Sequence, residues 1–104
     1  MIVNIERPTD DDKQIIDIQV EDHDLWNIDQ TLAHIILPLL KDFRNFDDSY
    51  PACYEHQQWR EIIDKMIHTF ELIIEDEYSC DIELTKEIQE GLDLFGQNYL
   101  RLWT

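Results

Sequence analysis

The chain of 104 residues carries 24 Asp and Glu against 8 Lys and Arg, a formal charge of −16. A surplus of that size repels nucleic-acid phosphates and anionic membranes and attracts basic surfaces, among them the phosphate-binding grooves of nucleic-acid enzymes. With 43% hydrophobic and 11% aromatic residues, the composition excludes a disordered acidic tail and fits one domain over 1–104 with a modest core.

The first elements read as strands. Ile2-Val3-Asn4-Ile5 is a short apolar run, and Ile16-Asp17-Ile18-Gln19-Val20-Glu21 alternates cleanly, with Ile16, Ile18 and Val20 on one face. The polar residues 8–13 between them predict an antiparallel hairpin, which is marginal in water unless a helix packs on it. The N-terminus lacks the basic start and apolar stretch of a signal peptide, and no apolar run approaches the ~20 residues that a membrane span requires.

A first helix begins after Asn27, an expected N-cap, with Gln30 completing a capping-box pattern. Ile28, Leu32, Ile35, Ile36, Leu39, Leu40 and Phe43 recur on a period of 3.6 and predict one buried stripe. Pro38 predicts a kink or break, because its ring clashes with the carbonyl of His34. Residues 45–54 read as a loop.

A second helix is predicted over about residues 56–75, burying Trp59, Ile62, Ile63, Met66, Ile67, Phe70, Ile73 and Ile74. Glu75, Asp76 and Glu77 oppose the helix dipole there, so the end should fray or turn near residues 79–81. A third helix is predicted over about residues 82–102, with Leu84, Ile88, Leu92, Phe95, Tyr99 and Leu102 inward. Gly91 and Gly96 lie within it, each costing about 1 kcal/mol relative to Ala, and close approach of a neighbouring element is the expected compensation. The fold class is therefore α+β and mostly helical, an N-terminal β-hairpin packed on about three α-helices.

Three ordered blocks carry a resemblance. They are Trp26-Asn27-Ile28-Asp29-Gln30-Thr31-Leu32-Ala33-His34-Ile35-Ile36-Leu37-Pro38, then Trp59 with Ile62-Ile63-Asp64-Lys65-Met66-Ile67-His68-Thr69-Phe70-Glu71, then Glu90-Gly91-Leu92-Asp93-Leu94-Phe95-Gly96-Gln97-Asn98-Tyr99 closed by Leu102-Trp103. Together they resemble a group of small acidic proteins of tailed bacteriophages, over roughly residues 14 to 103. The group often has His where this chain has Gln30. The resemblance implies a phage origin and the cytoplasm of an infected host, and it brings no established activity. Small acidic phage proteins are often inhibitors of host enzymes, including nucleic-acid mimics that block restriction or CRISPR nucleases.

Two acid clusters are the candidate partner-binding residues. Asp10, Asp11, Asp12, Asp22 and Asp24 crowd the hairpin region, with Asp17 and Glu21 beside them. Glu75, Asp76, Glu77, Asp81 and Glu83 crowd the connection between the second and third helices. The functional reading is a row of carboxylates that imitates phosphates and occupies the basic groove of a host nuclease or other nucleic-acid-binding protein. That reading involves no direct nucleic acid, no membrane and no cofactor, and leaves a homodimer open. The bland reading is an acidic coat that keeps a small protein soluble. A structural or assembly protein of the phage particle is the second functional reading.

Enzymatic chemistry has less in its favour. Asp29, Glu61, Asp64, Glu71 and Glu75 include i, i+3 and i, i+4 pairs that can converge on Mg²⁺, as in helical nucleotide hydrolases. The tight double acidic motif of those enzymes is missing, and such pairs arise by chance among 24 acids. His23, His34, His56 and His68 form no metal-ligand spacing; His34 and His68 are expected as half-buried groups that can meet if their helices pack. Cys53 and Cys80 lack CxxC spacing and an activating base, which predicts reduced thiols in a cytoplasm. Most of Trp26, Trp59, Phe70, Phe95, Tyr99 and Trp103 are expected in the core, with Trp103 the candidate for an exposed anchor.

Overall fold

The structure, a computed structural model, describes residues 1–6, 14–46, 50–75 and 81–103. Its elements are β1 (Ile2–Glu6), β2 (Ile15–Gln19), a short 3₁₀ turn (Asp22–Leu25), α1 (Ile28–Arg44), α2 (His56–Glu75), α3 (Ile82–Asn98) and a closing 3₁₀ turn (Tyr99–Arg101). This is the expected α+β, mostly helical architecture: one antiparallel hairpin followed by three helices.

The helices form a flat layer with α2 in the middle. α1 packs on α2 and α2 on α3, whereas α1 and α3 do not meet. The buried set follows from the α2 periodicity: Trp59, Ile63, Met66, Ile67 and Phe70, joined by Ala33 and Leu40 from α1. Leu92 and Phe95 of α3 are half-buried against them. Phe95 meets Phe70 edge-to-face at 5.2 Å between ring centres, a geometry the ring quadrupoles favour.

Small and polar residues set how closely the helices approach. Gly91 is buried against Thr69, and a Cβ at Gly91 would overlap the Thr69 hydroxyl and lie 2.7 Å from its Cβ and Cγ2. The Thr69 hydroxyl donates to the Lys65 carbonyl at 2.9 Å, so it is satisfied within its own helix and can be buried. Gly96, in contrast, faces open space. Close approach therefore explains one of the two glycines.

At the opposite end of this seam an aromatic lock ties all three helices. Tyr54 stacks on Trp59 at 5.7 Å and 17°, and Phe43 of α1 meets the Trp59 ring edge-to-face. The Tyr54 hydroxyl donates to Oδ1 of the fully buried Asn98 at 2.9 Å, and Asn98 Nδ2 donates to the Leu94 carbonyl at 2.9 Å. Arg101 donates to the Gln97 carbonyl and lies over the Tyr54 ring. Arg44 at the end of α1 holds Asp64 of α2 through a two-pronged ion pair.

Several local expectations are corrected. Asn27 occupies the N-cap position but makes no side-chain cap bond. Gln30 reaches across instead, and its Nε2 donates to the Ile73 carbonyl at 2.6 Å. That carbonyl belongs to the last turn of α2, which has no intrahelical partner of its own. Pro38 does not break α1, which runs continuously to Arg44; the proline sits on the exposed side, where water can serve the carbonyl that the ring deprives of a partner. The expected stripe of α1 divides: Leu40 is buried, whereas Ile28, Leu32, Ile35 and Leu39 are exposed.

α3 gives way to the 3₁₀ turn at Tyr99, and that residue is exposed. Trp26 and Trp103 are exposed as well, at 81% and 74%, so of the tryptophans only Trp59 belongs to the core. His34 and His68 are both exposed and do not pair with each other; His68 Nε2 sits 3.4 Å from Glu87. The expected turn at residues 79–80 lies outside the described residues.

The hairpin pairs Val3 with Ile18 and Ile5 with Ile16, and Asn4 with Asp17 on the other side. Every residue of both strands is exposed, and among the described residues no helix packs on either face. The expected helix cover is thus not made by the described residues.

The two glycines give opposite predictions. Gly91→Ala forces Thr69 or the helix seam to move and should destabilise the fold by about 1–3 kcal/mol, the usual cost of overpacking. Gly96→Ala should stabilise it by up to about 1 kcal/mol through helix propensity. Urea midpoints of the two variants against the parent check both signs.

Candidate functional site

The antiparallel order of the helices decides where the acids fall. The Gln30–Ile73 bond sets the start of α1 beside the end of α2. The His68–Glu87 pair and the Tyr54–Asn98 bond run α3 back along α2. The start of α1, the end of α2 and the start of α3 therefore share one end of the layer. Asp22 and Asp24 precede α1, Asp29 lies in its first turn, Glu75 closes α2, Asp81 caps α3 and Glu83 stands in its first turn. Two clusters about fifty residues apart in sequence converge here. Asp10, Asp11, Asp12, Asp76 and Glu77, the remaining candidates, lie outside the described residues.

The opposite end carries cations. Lys41 and Arg44 lie in the last turn of α1, Arg60 near the start of α2, and Arg101 after α3. Asp42, Glu55 and Glu61 lie at that end too, so its described charges are mixed, whereas the convergent end carries the acids with Lys86 in the second turn of α3.

The acids at the convergent end are not equivalent. Asp24 is occupied: its Oδ2 accepts from the Glu21 backbone N–H at 2.8 Å and faces the Met1 ammonium at 2.9 Å. Those two interactions, the backbone bond first, hold its carboxyl below the ordinary value of 3.8. Asp81 is occupied as the N-cap of α3, its Oδ1 accepting from Glu83 N at 2.9 Å and Leu84 N at 3.3 Å. Asp29 and Glu83 each lie in the first turn of a helix, where the dipole favours an anion. Glu75 differs. It ends a helix with no cation in its last turn, where the dipole disfavours a negative charge by about 0.3–1 kcal/mol.

The other candidate groups assemble nothing comparable. Among the described residues no group of three or more His, Cys, Asp or Glu side chains is placed to hold a metal ion. A shallow groove of about 590 Å³ runs between α2 and α3, lined by Asp64, Lys65, His68, Glu87, Glu90 and Leu94 among others. The Arg44–Asp64 pair and the bond from Gln30 to Ile73 escaped sequence reasoning, since each joins residues twenty or more apart. Among the described residues no helix is long and apolar enough to cross a membrane. No protein-family model, curated protein or solved structure matches the chain.

Asp24 yields a pH prediction. Its carboxyl is lowered in the folded protein, so its contribution is complete above pH 3.8 and is lost as pH falls through the lower folded value. The amide-exchange protection factors of Val3–Ile5, taken against the intrinsic rate at each pH, should fall in that acid range. In Asp24→Asn, protection at neutral pH should already be lower, and its further loss in acid should shrink.

Proposed function

We propose that this is a phage-encoded binding protein that inhibits a nucleic-acid-acting host defence protein, of the restriction or CRISPR nuclease type. Its acidic end occupies the basic groove that normally takes phosphates. The observation that carries the reading is the convergence of Asp22, Asp29, Glu75, Asp81 and Glu83 at one end of the helical layer, with the described arginines confined away from it. Glu75 adds a specific reason. Unlike Asp24, Asp29, Asp81 and Glu83, it neither caps a helix, suits a helix dipole nor tethers the hairpin, so folding does not account for its charge. The phage resemblance supports the class of partner, and the host cytoplasm is where that partner resides.

Assembly into the phage particle is the second reading, favoured by the uncovered apolar surface of the hairpin and α1. Mass spectrometry of purified virions separates the two: a high-copy particle component would replace the inhibitor reading.

Glu75→Lys tests the proposal with two readouts of opposite sign. The thermal midpoint should rise slightly, because the charge now suits the dipole, while affinity for the target nuclease should fall at least threefold. The parent complex should weaken steeply between about 50 and 200 mM salt, as phosphate contacts do. Binding that ignores salt, or that survives Glu75→Lys combined with Glu83→Lys, would overturn the proposal.

A further inference from the structure

The chain exposes far more surface than its mass requires. A compact monomer of 12.6 kDa is expected to expose about 6,200 Å², whereas this chain exposes 8171 Å². The radius of gyration of 15.8 Å likewise exceeds the roughly 13 Å expected of a compact chain of this length. The excess of about 2,000 Å² lies within the 1,000–2,500 Å² that each partner of an obligate homodimer gives up.

Much of that surface is concentrated on two apolar faces. Cross-strand pairing puts Val3, Ile5, Ile16 and Ile18 on one side of the hairpin, and the alternation extends to Met1 and Val20 at its ends. All six are exposed, at 39–57%, and none has a charged side chain. On α1 the uncovered stripe is Ile28, Leu32, Ile35 and Leu39, exposed at 40–65%. The stripe spans twelve residues of helix, roughly 18 Å at 1.5 Å per residue. A five-residue strand is roughly 16 Å long. The two faces are similar in length and alike in chemistry.

They do not meet within one chain. The Met1 ammonium is fixed to Asp24, and the turn that follows β2 is closed by reciprocal bonds between Glu21 and Asp24. The hairpin is thereby held as an arm beside the start of α1, clear of the helix stripe. A hairpin with an all-apolar face is unstable in water alone, and continuous apolar patches of this extent mark contact surfaces.

We infer that the protein forms a twofold-symmetric homodimer in which the hairpin of each copy lays its apolar face on the α1 stripe of the other. The arrangement is reciprocal, so both faces are covered at once and the assembly closes. Its contacts are apolar side chains and no carboxylate, and salt affects it in the opposite sense: screening relieves repulsion between two chains of −16 and leaves apolar contact intact.

Sedimentation equilibrium of the full chain tests this. The expected mass is twice 12.6 kDa, with dissociation weakening as salt rises. Ile18→Lys on the hairpin and Leu39→Lys on α1 should each raise the dissociation constant at least tenfold without loss of helical circular dichroism, because both residues are already exposed. Mixing the two variants should restore dimer, since one of the two reciprocal contacts is then unaltered. A parent chain that stays monomeric at all concentrations would overturn the inference, and so would a dimer that neither variant weakens. A dimer weakened by Ile18→Lys but not by Leu39→Lys, as hairpin-to-hairpin pairing predicts, would overturn it too, and so would failure of the mixture to recover dimer.

Discussion

The buried perimeter of α2 is what the rest of the fold hangs on. α1 and α3 do not touch, so each is held only through that central helix. Met66 is wholly buried at its middle, and the seams on its two sides use different means. Toward α3 the backbones approach until glycine is required opposite Thr69. Toward α1 the contact is made by Ala33 and Leu40, with Gln30 satisfying a carbonyl at one end and Arg44 holding Asp64 at the other. A single layer of three helices can bury only one helix from both sides. The outer face of α1 is consequently left apolar and uncovered, and so is the hairpin.

The same constraint places the charges. Antiparallel packing puts helix starts and ends alternately at each end of the layer, so acids placed for two helix N-termini gather beside whatever closes the third. Asp29, Asp81 and Glu83 follow from that rule as dipole partners or caps, and Asp24 is used to tether the hairpin. Much of the acidity at this end therefore has a folding role. Glu75 does not, and the difference separates a candidate contact residue from its structurally employed neighbours in a way that counting acids cannot.

α2 was legible in the sequence almost residue for residue, because nothing interrupts its periodicity and its whole apolar stripe is covered, while Gln57, Glu61, Asp64, Lys65 and His68 face solvent. α1 was legible as a helix but not as a packed surface. Periodicity shows which residues are apolar, not how many neighbours will cover them, so a stripe that reads as one face divides between Leu40, buried, and Ile28, Leu32, Ile35 and Leu39, open. Asn27 and Gln30 show the same limit at shorter range. Their spacing matches a local capping box, yet Gln30 serves a carbonyl 43 residues away. Of the candidate site, the individual acids were visible, but their shared location depends on helix order and contacts such as Tyr54–Asn98, which have no trace in local sequence.

Strong acidity and self-association ordinarily oppose each other, since two copies bring 48 carboxylates together against 16 cations. Distance resolves the conflict. At physiological ionic strength the Debye length is about 8 Å, shorter than the roughly 10 Å that separates packed layers across an apolar interface. Carboxylates on opposite sides of such an interface are therefore largely screened from each other. Carboxylates in direct contact with a basic groove are not screened to the same degree, because ions are excluded from between them. One range of salt thus permits an apolar self-contact and a charged contact with a basic partner on the same small chain. The uncharged hairpin face is what makes that division of labour physically consistent.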